Sequence, residues 1–355
     1  MARGEPGRYD DLLSARDAER LVTEPGLRTP GFRLVKAGAR LEQRSYTTDV
    51  SWRPQPFSGM AQVDRVAAEF EAGATLVLQG LHLTLLPLAR WCRSLEAQLG
   101  QPVQANAYWT PRASQGLPVH HDTHDVFVLQ VDGAKRWLVY EPVLELPLRD
   151  QRYTPELGPP GAAVLDVTLE AGDTLYLPRG WLHEALTSAA DSLHLTIGVN
   201  VRTWLDAIRA VLAECEDDVE LRRSVPPDGD GAAEALERLA LRFDAEQVAA
   251  AMRERFVSTR RPVRDGQLTE LSALEQLTPE TPVERRETVI ADFDGERLSF
   301  EGRSLLFPPH AREEVEALVG AEGPVVPAEL PGRLDDEGRL VLVRRLVREG
   351  FLRIV

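Results

Sequence analysis

Between Val119 and Val131 the chain reads Val-His-His-Asp-Thr-His-Asp-Val-Phe-Val-Leu-Gln-Val, and this stretch constrains the fold more than any other. Its second half alternates and is rich in Val, Phe and Leu, which predicts a buried strand. Strand side chains alternate between faces, so His120 and Asp122 fall on one side, with His124 in the same parity. An imidazole and a carboxylate two residues apart reach one divalent cation, and a third ligand is then needed. Of the seven histidines, His183 is the best placed. It closes Gly172-Asp-Thr-Leu-Tyr-Leu-Pro-Arg-Gly-Trp-Leu-His, read as a turn, a short apolar strand (174–177), a second turn (178–180) and the start of another strand. Two His and one carboxylate on one face of an iron ion are the donor set of non-haem Fe(II) oxygenases. A His-x-Asp pair alone fits a hydrogen-bonded core or surface histidine equally well. The distal turn, strand, turn and His favour the metal.

Further strands are expected at 103–108, 119–131 and 135–139, the last two joined by a hairpin turn at Asp132-Gly133. Others follow at 162–169, 174–177, 183–187 and 193–199. Many short strands with regular turn signals predict a barrel or sandwich. Upstream, Ser14 and Asp17 form a capping box ahead of a helix through Val22. Residues 30–60, with Pro30, Pro54, Pro56 and Gly59, read as strands and loops covering the barrel. Helices are expected at 63–71 and 87–99, the second turning Leu88, Trp91, Cys92, Leu95 and Leu99 inward, with a buried strand at 74–79 between them.

After Val201 the pattern turns helical. Leu205, Ile208, Leu212, Cys215 and Val219 are spaced 3, 4, 3 and 4, a heptad-like seam that serves packing within the chain or against a copy of it. Helices at 233–243 and 244–256 follow. An Arg- and Pro-rich linker (259–266) leads to a last segment with a strand pair around Asp294-Gly295, helices at 310–319 and 338–348, and a final strand at 350–355. Mixed short elements over this length suggest a winged helix. Residues 281–355 hold 15 acidic and 11 basic residues, which argues against direct DNA binding.

A chain of 355 residues, 43% hydrophobic, has room for two or three domains. No run of about 18 apolar residues suggests a membrane span, and the first seven residues lack the apolar core of a signal peptide. Cys92 and Cys215, the only cysteines, read as buried thiols in a reducing cytoplasm. The formal net charge of −15 disfavours nucleic acid and favours a basic partner.

The motifs Asn106-Ala-Tyr-Trp-Thr-Pro, Ser114-Gln-Gly, His120-His-Asp, Phe127-Val-Leu-Gln, Gly133-Ala-Lys-Arg-Trp and Gly172 through His183 resemble the JmjC-type cupin oxygenases. Among these, the chain is most similar to the ribosomal oxygenases, which hydroxylate side chains of ribosomal proteins. The resemblance spans roughly residues 30–205. It implies a mostly β fold with α elements: a double-stranded β-helix (jelly roll) in residues 1–204, a helical dimerisation region in 205–265 and a winged-helix-like domain in 266–355. It further implies Fe(II) held by His120, Asp122 and His183, with 2-oxoglutarate and O2 as cosubstrates. Lys135, one of only two lysines in the chain, stands where the family places a basic residue for the far carboxylate of 2-oxoglutarate. Asn106 matches a polar residue expected near that cosubstrate. His121 departs from the family, which usually has Tyr there.

The residues themselves leave alternatives. Lys135 also reads as a solvated hairpin lysine and Asn106 as a strand-end turn residue. His194 and Thr196 share a face and fit either a cosubstrate pocket or a satisfied interior. His124 reads as a pocket or surface histidine, Tyr108 and Trp181 as barrel walls, and His82 and His310 as structural. The expected activity is hydroxylation of an Arg or His of a ribosomal protein by a cytoplasmic homodimer. The rivals are a hydroxylase of another peptide or a small molecule, a lysyl demethylase, and a non-catalytic cupin and winged-helix module that binds protein.

Overall fold

The computed structural model describes residues 1–24, 26–52, 55–114 and 117–355; Pro54 and the Gln115-Gly116 of one sequence motif lie outside them. The chain divides into two compact units, Met1–Glu96 with Pro102–Val201, and Ala97–Gln101 with Arg202–Val355.

The first unit begins with α1 (Ala15–Thr23), where Ser14 and Asp17 close the expected capping box. Then come β1 (Phe32–Lys36), β2 (Ala39–Arg40), β3 (Thr47–Trp52), β4 (Gln55–Ala61), α2 (Val63–Glu71), β5 (Thr75–Leu78) and α3 (Leu86–Leu99). Five strands follow: β6 (Val103–Thr110), β7 (Asp125–Tyr140), β8 (Ala163–Glu170), β9 (Thr174–Leu177) and β10 (Leu182–Val199). The main sheet runs β2-β1-β5-β6-β10-β7-β8, with β9 also paired to β7, while β3 and β4 form a separate hairpin. The inner face of α3 is as expected except at Leu99, which is exposed at the helix end.

The expected Asp132-Gly133 turn is absent, and two strands are longer than their patterns suggest. β7 runs unbroken through Asp132-Gly133, and β10 joins the segments expected at 183–187 and 193–199. The two pair along almost their whole length, with register shifts between Thr187 and Ser192 and between Leu193 and His194. An Asp-Gly pair supplies positive φ to a bulge as readily as to a hairpin. Here Gly133 (φ +64°) sits at the bend, opposite Ser192.

The irregularity has a consequence for the site. Before it, Val126 and Val128 line the interior cavity; after it, Lys135 and Trp137 do. Even positions give way to odd ones, so the bulge is what turns Lys135 inward. A Cβ on Gly133 would meet the Asp191 carbonyl oxygen at 1.8 Å. Gly133→Ala is therefore expected to cost roughly 1–3 kcal/mol from backbone strain alone, read as a lowered thermal midpoint. An unchanged midpoint would show that the bend does not depend on the glycine.

Two apolar clusters hold this unit. One gathers Phe32, Leu34, Leu76, Leu88 and Leu195 under the helices, and the other gathers Val126, Val128, Trp137, Val139, Leu169, Leu175 and Leu177 around β7.

The second unit contains α4 (Trp204–Glu214), α5 (Ala232–Arg242), α6 (Ala245–Ser258) and α7 (Gln267–Ala273), the last unforeseen in the sequence. A Thr203–Asp206 capping box starts α4. The apolar seam does not continue as one stripe, because α4 ends at Glu214. Cys215 turns inward with Ala207, Val211 and Val248, whereas Trp204, Ile208, Leu212 and Val219 are exposed. Both cysteines are buried free thiols.

The chain ends with β11 (Val283–Arg285), β12 (Ala291–Phe293), β13 (Arg297–Phe300), β14 (Arg303–Leu306), α8 (Arg312–Gly320), α9 (Asp336–Glu349) and β15 (Leu352–Ile354). The expected strand pair is a three-stranded meander, β12-β13-β14, and the final strand pairs with β11. Phe300, Val343, Leu346 and Phe351 lie at the centre of this core. Among the described residues no helix is long and apolar enough to cross a membrane.

Candidate metal centre

His120, Asp122 and His183 come together, their ligand atoms all within 4.8 Å of one another. The means differ from the sequence expectation, since β7 starts only at Asp125. His120 is instead held by a two-way backbone bridge to His183 (His120 N to His183 O 3.1 Å, the reverse 2.8 Å), and Gly180 N donates to Asp122 O at 3.0 Å. The turn before His183 thus grips the His-x-Asp segment directly.

The rings are set for ligation. His120 Nδ1 donates to the Pro118 carbonyl at 2.8 Å and His183 Nδ1 to the Trp181 carbonyl at 3.0 Å. A carbonyl only accepts, so each neutral ring keeps its lone pair on Nε2. His183 Nε2 lies 3.7 Å from Asp122 Oδ2. Burial, and His120 beside it, push the His183 imidazole well below its ordinary pKa, keeping it in the neutral form a metal requires. Two imidazoles and a carboxylate with fixed tautomers fit a first-row divalent ion such as Fe(II).

The cluster opens on a cavity of about 550 Å³. Lys135 lines it, 4% exposed. Its β10 partner, Thr187, is four residues from His183, about 13 Å along the strand. Lys135 Nζ donates to Thr110 Oγ1 at 3.0 Å, its one partner among the described residues. Burial pushes this ammonium down to about 7. A desolvated cation with a single neutral partner fits an anionic ligand, so the solvated-lysine reading fails.

The remaining candidates fall around the same space. Asn106 is mid-strand in β6, not in a turn, lines the cavity, and accepts from Gly80 N at 2.9 Å. Its strand partner Thr196 lines the cavity too. His194 is buried, stacked at 3° on Tyr108, with Nδ1 unpartnered and burial driving its pKa far down. His121 also lines the cavity, with its Nε2 bonded to the Gln151 carbonyl (2.9 Å) and its ring edge-on to Tyr153. His124 lines the cavity beside Gln104, and Trp181 packs into the core around β7. His82 is structural, its Nδ1 accepting from Ala105 N at 3.1 Å. Arg33 and Gln104 were not singled out from the sequence, and Thr110 and Trp137 entered only as members of quoted motifs. Thr110 and Gln104 alternate with Asn106 and Tyr108 along β6, and that period-two pattern could have found them.

A family model for the JmjC domain matches residues 81–207. The chain carries a JmjC domain. Ribosomal oxygenase 1 of Rattus norvegicus is 41% identical to it over 171 residues, 45% of this chain and 28% of that protein. A bifunctional lysine-specific demethylase and histidyl-hydroxylase NO66 of Drosophila persimilis is 32% identical over 203 residues, 55% of this chain and 29% of that protein. The chain spans between 23% and 38% of the length of the first curated relatives it matches. Among solved structures, Escherichia coli ribosomal oxygenase YcfD superposes with a TM-score of 0.57 over 97% of this chain and 91% of that chain at 19% identity, a likeness of fold. YcfD has also been solved with cobalt and 2-oxoglutarate.

Proposed function

We propose that this JmjC protein is an Fe(II)- and 2-oxoglutarate-dependent oxygenase that hydroxylates a protein side chain, an Arg or His of a ribosomal protein. The observation that carries this reading is one cavity lined by both the His120–Asp122–His183 cluster and the buried Lys135. The relatives' names support the substrate class, and the acidic chain suits a basic ribosomal segment.

His120, Asp122 and His183 hold the metal on one face. Bound there, Fe(II) supplies the activation of O2 that an unactivated C–H bond demands. Lys135 neutralises the far carboxylate of 2-oxoglutarate, and Asn106, Thr196 and His194 line its surroundings. One oxygen atom of O2 enters the side chain; the other enters succinate, formed from 2-oxoglutarate with loss of CO2. Burial keeps His194 an uncharged wall, and the apolar Val126, Val128 and Trp137 exclude water. Conversion of 2-oxoglutarate to succinate that requires Fe(II) and rises on adding ribosomal proteins is the expected result. Turnover unaffected by Fe(II), or its absence, would contradict the assignment.

We read the second unit as a helical dimerisation region (205–265) and a winged-helix-like domain (266–355). Exposed Trp204, Ile208 and Leu212 form one stripe on α4, an apolar patch suited to a second copy of the chain. Ile208→Glu with Leu212→Glu is expected to convert a dimer to monomer in light scattering. A wild-type monomer at micromolar concentration would rule out the dimer.

A further inference from the structure

The charges that line the cavity bear differently on the two candidate target side chains. Among the described residues, Asp122 is the only carboxylate lining it, and Asp122 belongs to the metal cluster. Two cations besides Lys135 line the same space, Arg33 and Arg152. Arg33 is half-buried on β1 and, among the described residues, bonds only neutral groups, the Gln79 amide oxygen at 2.9 Å and the Tyr108 side chain. Arg152 is exposed and makes no ion pair among the described residues. A guanidinium is charged at every accessible pH. Entering here, it would lose water, meet two like charges, and find no uncommitted carboxylate.

The neutral hydrogen-bonding groups are arranged differently. Gln104 on β6 pairs across the sheet with Gly198 on β10. The His124 ring lies over that glycine, where a Cβ would come within 2.4 Å of its Cδ2. Gln104 Nε2 and His124 Nε2 are 3.3 Å apart. An amide and an imidazole fixed side by side on a glycine floor offer both donor and acceptor to an uncharged ring.

We infer that the side chain accepted by this cavity is a neutral histidine imidazole, that Gln104 and His124 orient it, and that arginine is excluded by Arg33 and Arg152. This rests on the oxygenase reading above. A ring with an ordinary pKa near 6.5 is uncharged at neutral pH and pays no penalty against the two arginines. A site whose charges have no counterpart on the wrong substrate discriminates by on the order of 100-fold or more.

The test starts from ribosomal proteins incubated with the wild-type protein, Fe(II), 2-oxoglutarate and O2, then mapped by tandem mass spectrometry. An added oxygen at a histidine is expected. An added oxygen at arginine, or at any other residue, overturns the inference and leaves the oxygenase reading standing. No product together with no succinate overturns both. The peptide so identified, and the same peptide with His→Arg at the modified position, are then titrated anaerobically into Mn(II)- and 2-oxoglutarate-loaded protein. At least about 100-fold weaker binding of the arginine peptide is expected, with the gap narrowed by Arg33→Glu. Equal affinities for the wild type, or a gap unmoved in a folded Arg33→Glu protein, overturn the charge argument.

Discussion

Replacing His183 with alanine is expected to lower Fe(II) or Mn(II) affinity by more than ~100-fold, because loss of even an outer partner of a metal ligand commonly costs ~10–100-fold. The backbone bridge to His120 persists in the variant, since it uses main-chain atoms, so the fold is expected to survive while the donor set does not. His120→Ala should behave alike, and Asp122→Asn less severely because an amide oxygen still reaches the ion. Calorimetric titration under anaerobic conditions reads the effect, with circular dichroism reporting the fold. Undiminished metal binding by a folded His183→Ala protein would remove that histidine from the site.

The second large effect belongs to Lys135. Its ammonium is buried with one hydroxyl partner, so Lys135→Ala or Lys135→Met should weaken 2-oxoglutarate binding by roughly 2–4 kcal/mol, leaving metal affinity unchanged. The pH dependence has a definite sign. In the free protein burial lowers the Lys135 pKa to about 7; a bound carboxylate favours the charged form and raises it again. Binding therefore takes up a proton above pH 7. Affinity should be fullest below pH 7 and fall as pH rises through that value, by at most ~10-fold per unit, until the raised pKa of the complex is reached. Lys135→Met should abolish this slope. A wild-type affinity flat from pH 6.5 to 8.5 would place the carboxylate elsewhere.

The metal ligands were legible because their chemistry is local. His120 and Asp122 are two residues apart, and the turn residues before His183 announce their own backbone. Lys135 was legible through resemblance, but the reason it points inward was not. Asp132-Gly133 carries the same residues whether the chain reverses or bulges, and only the long pairing of β7 with β10 decides between them. That pairing is non-local, so no window of sequence contains it. The helical seam failed for a related cause. Its 3-4 spacing is real, but the helix stops at Glu214, leaving Cys215 to turn inward and Val219 outward. Asn106 lines the cavity, but its anchoring of Gly80, beyond the end of β5, is a contact distant in sequence that spacing cannot reveal. The arginines lining the cavity, Arg33 and Arg152, lie far from the metal motif in sequence and carried no pattern of their own.

The measurement that bears most directly on the central claim is intact-protein mass spectrometry of ribosomal proteins incubated with Fe(II), 2-oxoglutarate, isotopically heavy O2 and either the wild-type protein or Asp122→Ala. The account predicts one protein gaining the mass of a single heavy oxygen atom with the wild type and none with the variant. A gain that carries light oxygen from water, or one that persists undiminished in Asp122→Ala, would contradict it.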